Sequence, residues 1–71
     1  MRLRIKDEIN LEELILKYKF EETQTSYVMK DINSEEYILI DKSTRLIHHK
    51  GFSSLVEEWS KYEYFEIIKS F

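Results

Sequence analysis

Five residues of one short stretch, Lys42, Arg45, His48, His49 and Lys50, carry the side chains with the widest chemical reach in this chain. A histidine beside a lysine or arginine can pass a proton and neutralise phosphate charge. His48 and His49 are the only histidines. As neighbours on a strand they point to opposite faces, so one metal ion cannot take both in the usual way. One packed and one solvated imidazole is the plainer reading, and no metal site is expected. The three firm cations of the stretch could touch phosphate, although nucleic-acid affinity grows with the number of phosphates neutralised. An exposed hairpin whose lysines discourage edge-to-edge aggregation is the plainer reading of them.

The carboxylates form adjacent pairs at Asp7-Glu8, Glu12-Glu13, Glu21-Glu22, Glu35-Glu36 and Glu57-Glu58. Adjacent residues diverge on a strand and lie about 100° apart on a helix, which suits solvated charge better than acid–base catalysis. No alternating acid loop with a central glycine exists, which excludes an EF-hand. The acids of residues 21–41 stand apart: Glu21, Glu22, Asp31, Glu35, Glu36 and Asp41 face a single cation, Lys30, for a local charge of −5. Residues 42–51 hold +3, within a chain of net charge −3. The acidic stretch is therefore a candidate binding face for a basic protein partner.

The frame for these groups is small. Seventy-one residues make a single domain, 1–71, and with 42% hydrophobic residues the chain is too apolar to be disordered. There is no cysteine, so there is no disulfide or thiolate chemistry, as fits a reducing compartment. The longest apolar run is Tyr37–Ile40, too short for a membrane span or a signal-peptide core, and a cytoplasmic location is expected. No alanine and no proline stand against nine isoleucines and eight lysines, the bias of an AT-rich bacterial, phage or plasmid genome. No catalytic or cofactor motif is present.

Periodicity supplies the elements. Leu3 and Ile5 alternate with Arg2, Arg4 and Lys6, a short N-terminal strand that includes Met1. Asn10 caps a helix with Glu13 three residues on, and Leu11, Leu14, Ile15 and Tyr18 share its face. Phe20–Asp31 reads as a strand, Tyr37–Ile40 as a second and Arg45–His49 as a third, with turns at 31–35 and 41–44. Ser54 with Glu57 forms a further capping box, followed by an apolar face of Leu55, Val56, Trp59 and Tyr62. Tyr64, Ile67, Ile68 and Phe71 keep helical spacing but are rotated from that face, which predicts a kinked C-terminal helix. A terminal strand over Tyr64–Phe71 is the second choice, since Phe65, Ile67 and Phe71 also fit a period of two.

The expected fold is an α+β domain, a helix, a three-stranded antiparallel meander and a second helix. Both helices would cover Ile38, Ile40 and Leu46. This order over 10–71 resembles that of double-stranded-RNA-binding domains and of small toxin ribonucleases of the same architecture. Where those RNA-binding domains carry lysines this chain reads Ser54-Leu55-Val56-Glu57-Glu58. Its Ile47-His48-His49-Lys50-Gly51 lacks the toxins' glycine-serine-histidine motif. No family is assigned.

The leading expectation is a small acidic, non-enzymatic protein-interaction module, a phage- or plasmid-encoded regulator or inhibitor that binds a host protein. Its contacts would be the six acids above with Tyr64 and Phe65, and homodimerisation through the C-terminal segment is a further candidate. The alternatives are weak nucleic-acid binding through Lys42, Arg45, His48, His49 and Lys50, or a ribonuclease with a histidine as acid–base. No cofactor is expected. The four apolar residues from Tyr64 onward are expected to dock intramolecularly, leaving Phe65 more exposed.

Overall fold

The computed structural model describes residues 2–68. The elements run β1 (Arg2–Ile5), α1 (Leu11–Tyr18), β2 (Glu21–Glu22), β3 (Ser26–Lys30), β4 (Tyr37–Asp41), β5 (Leu46–Lys50), α2 (Ser53–Lys61) and β6 (Phe65–Ile68). The strands form one antiparallel sheet in the order β2-β3-β4-β5-β1-β6. This corrects the helix–meander–helix expectation: the meander is only part of a six-stranded sheet, and both ends of the chain contribute to it.

β1 makes the difference. It lies between β5 and β6, with Leu3 opposite Ile47 on one side and opposite Ile67 on the other. Alternation turns Leu3 and Ile5 toward the helices, and Ile5 is fully buried. With that strand central, its second edge is open to a partner, and Phe65-Glu66-Ile67-Ile68 fills it in place of a continued helix. Helix α2 stops at Lys61, and Glu63 in the left-handed region (φ 56°) turns the chain. The Tyr64 N–H then closes onto the Trp59 carbonyl at 3.0 Å. The phase break near Tyr62 therefore marks a turn into a strand, and the kinked helix is withdrawn. Residues 69–71, Phe71 among them, lie outside the described residues, as does Met1.

The core is one layer between the sheet and the two helices. Ile5, Ile38, Ile40 and Ile47 rise from the sheet to meet Leu14 and Ile15 of α1, Phe20 of the α1–β2 connection and Trp59 of α2. Trp59 is fully buried, with Phe20 stacked on it at 5.9 Å and Tyr18 and Tyr64 edge-on at 5.4 and 6.4 Å. α1 begins as its cap dictates: the Asn10 side chain accepts the Glu13 N–H at 3.2 Å. α2 does not use the Ser54–Glu57 box. It starts at Ser53, one residue after Phe52, which takes φ 54° and gives no side-chain cap.

Leu46 does not join the core. In the β4–β5 hairpin Ile40 faces Ile47, and the turn closes through Arg45 N–H on the Asp41 carbonyl at 2.9 Å. Arg45 takes φ 65° there. That residue sets the register, so Ile47 turns inward and Leu46 outward, because a one-residue offset exchanges the two faces of a strand.

Candidate interaction surfaces

Arg45, read from sequence as a phosphate ligand, is occupied. Its Nε–H donates to the Ile5 carbonyl at 3.1 Å, and its Nη2 donates to the carbonyls of Lys6 and Ile9 at 2.6 Å each. One planar guanidinium therefore ties the β1–α1 connection to the hairpin. The other basic residues of the stretch are dispersed. Lys42 pairs with Glu22 at 2.5 Å and lies over the Tyr27 ring. Lys50, at the opposite end of β5, pairs with Glu35 at 3.3 Å. His48 and His49 are both exposed, on opposite faces. His49 Nδ1 lies 3.0 Å from the Gly51 carbonyl oxygen, a contact favourable only when Nδ1 carries the proton. Among the described residues no three metal-ligating side chains come together.

The six acids also disperse. Glu21 and Glu22 lie on the sheet edge at β2, Asp31, Glu35 and Glu36 in the β3–β4 turn, and Asp41 at the far end of β4. Most are already engaged. Asp31 accepts the Asn33 N–H at 2.9 Å, and Glu36 accepts the Phe52 N–H at 3.1 Å. Asp41 Oδ1 accepts from the Ser43 N–H and hydroxyl and from the Thr44 N–H at 2.7–3.0 Å. These bonds hold the Asp41 carboxyl down to about 2, the Ser43 hydroxyl contributing most. The structure does not bring the six together as one negative face.

The C-terminal pair is separated by role. Tyr64 and Phe65 are half-buried against the core, so Phe65 is packed rather than left exposed. Tyr62 is 60% exposed and stacks on Tyr64 at 5.4 Å. Tyr18 donates its hydroxyl to Glu58 at 2.5 Å, and its phenol is pushed up to about 12, by burial first and then by that carboxylate.

The surface that sequence reasoning missed is the sheet face away from the helices. Register places Val28, Leu39 and His48 in one row there, and Asp41, Leu46 and Arg4 in a second. Lys30, Tyr37 and Lys50 form a third row. Leu39 and Leu46 are half-buried yet take no part in the core cluster. Only their sheet neighbours shield them. Arg2 and Ile68 continue the face onto β1 and β6. Its acids are restrained, Asp41 by its turn and Glu66 by Arg4 at 3.5 Å. The sole sequence signal was the unbroken apolar run of Tyr37–Ile40, which puts large side chains on both faces of β4 without saying which one the helices cover.

No helix among the described residues is long and apolar enough to cross a membrane. Compared with known proteins, the chain matches no family model, no curated protein and no solved structure.

Proposed function

We propose that this chain is a non-enzymatic protein-interaction module whose partner docks on the uncovered face of the sheet. The observation that carries this reading is that Leu39 and Leu46, in adjacent rows of neighbouring strands, are half-buried yet outside the core, on the sheet face turned away from the helices. Tyr37, 37% exposed, extends it, and Arg2, Lys30 and Lys50 lie at its rim. A partner for such a face presents an apolar patch bordered by carboxylates, because Arg2 and Lys30 at its rim have no carboxylate partner among the described residues, while Lys50 pairs with Glu35. Acidic residues dispersed over edge and turns give a basic partner no comparable platform. Action by occupancy, as a regulator or inhibitor, is the role that suits a face whose one imidazole, His48 beside Leu39, belongs to no metal-ligating cluster among the described residues.

Comparative capture tests this reading. A protein retained by the wild type should be lost with Leu39→Asp/Leu46→Asp and retained with Leu16→Asp, whose site on α1 is 79% exposed and far from this face. Equal retention by all three rejects the open face.

The nucleic-acid alternative keeps one supporting observation, the Lys30–Tyr37–Lys50 row, an aromatic ring between two cations. It requires single-stranded RNA to bind at low salt and to be released by salt, with Tyr37→Ala weakening the complex. No binding at low salt removes it. Self-association through the C-terminal segment is a proposal of the same kind, and β6 gives it a geometry.

A further inference from the structure

We infer that the outer edge of β6 pairs with the same edge of a second copy of this chain, continuing the sheet across a twofold axis. This gives a surface and a register to the proposed self-association and is independent of docking on the open face. The Lys6 N–H donates to the Tyr64 carbonyl at 3.0 Å, whereas the Ile5 N–H turns away to the Arg45 carbonyl at 3.0 Å. Hydrogen-bonded and non-hydrogen-bonded pairs alternate along an antiparallel ladder. Arg4–Glu66 and Arg2–Ile68 are therefore the bonded pairs between β1 and β6. Ile5–Phe65 and Leu3–Ile67 are the non-bonded ones. The backbone N–H and C=O of Phe65 and Ile67 consequently point outward, where no further strand among the described residues meets them.

The two edges of the sheet are unlike. β2 is two residues long and acidic, the form in which an edge resists pairing. β6 is twice that length, and the Ile67 side chain is 58% exposed. No lysine, proline or bulge interrupts it over Phe65–Ile68. Its complement is an extended strand with outward groups at the same spacing, and another β6 meets that requirement. With the axis at Ile67, that residue faces Ile67 of the partner subunit and exchanges two hydrogen bonds with it. Glu66 then faces Ile68 of the partner subunit. The neighbouring register, with the axis at Glu66, opposes two carboxylates and is disfavoured.

Sedimentation equilibrium of the full chain and amide exchange over a concentration series test this. The expected result is a reversible dimer, with the Ile67 amide gaining protection as it forms while Glu66 and Ile68 are protected throughout. Ile67→Pro removes an outward N–H and leaves the β1 ladder intact. It should raise the dissociation constant by roughly 30-fold or more, since the twofold axis doubles each lost bond. Ile67→Lys opposes two cations on the axis and should do likewise, and it decides the matter if the proline variant does not fold. A wild type that stays monomeric overturns the inference, and so does a dimer unaffected by Ile67→Lys. Dimerisation without protection of Ile67 overturns it too, by placing the contact elsewhere.

Discussion

Replacing Arg45 with alanine should remove a large part of the stability of this domain. The side chain donates to the carbonyls of Ile5, Lys6 and Ile9, and its removal leaves all three without that partner in a partly buried connection. A hydrogen bond from a charged donor contributes about 1.5–3 kcal/mol, and three that share one guanidinium add less than threefold, so Arg45→Ala should cost about 3–5 kcal/mol. The whole domain has on the order of 4–10 kcal/mol at this length, so the variant should be marginal. Backbone strain supplies an internal control. Arg45 is held at φ 65°, which alanine tolerates no better than arginine, whereas glycine adopts it freely. Arg45→Gly should therefore be more stable than Arg45→Ala by about 1 kcal/mol despite losing the same bonds. Arg45→Lys keeps the charge but not the fork and should fall between wild type and alanine. Urea unfolding followed by tryptophan fluorescence measures all three, with Trp59 as the single reporter. A loss below about 1 kcal/mol for Arg45→Ala, or glycine less stable than alanine, would refute the clamp.

Further outcomes follow from other sites. Gly51→Ala should destabilise by about 1–2 kcal/mol, because φ is +78° and the new methyl displaces the Glu36 carboxylate from the Phe52 N–H; urea midpoints measure it. Asp41 titrates near 2 when folded, below its usual 3.8, so its contribution is complete above about pH 4 and lost as pH falls toward 2. The stability difference between wild type and Asp41→Asn should shrink over that window; a constant difference contradicts the turn bonds. In an ultraviolet pH titration one of the five tyrosines should ionise near 12, and Tyr18→Phe should abolish that step. Ile32, 98% exposed, should accept asparagine with a change of less than about 0.5 kcal/mol in thermal or urea unfolding.

What the sequence disclosed was local. The Asn10 cap and the Leu11–Tyr18 stripe gave α1, and the polar turn between Tyr37–Ile40 and Arg45–His49 gave the hairpin. The alternation of Leu3 and Ile5 gave β1 as a strand but not as the strand between β5 and β6. The segment after Tyr62 was ambiguous because Tyr64, Ile67 and Ile68 satisfy a helical period while Phe65 and Ile67 satisfy a strand period. The free edge of β1 decides between them, and that edge comes from residues about sixty positions away in the chain. Arg45 misled for the same reason: its acceptors lie 36 to 40 residues distant, so a cation in a turn looked free to meet phosphate. The site was less legible still. Which leucines stay uncovered depends on the hairpin register, and a left-handed residue that is not glycine leaves little mark on the sequence.

The premise of the functional proposal is that one face of the sheet is uncovered, and solvent paramagnetic relaxation of the Ile and Leu methyl groups measures that directly. The methyls of Leu39 and Leu46 should broaden with added paramagnetic agent, between the strongly affected Leu16 and the unaffected Ile5, Ile38, Ile40 and Ile47. Leu39 and Leu46 methyls as protected as those of Ile38 would mean that this face is closed, and docking upon it would be contradicted.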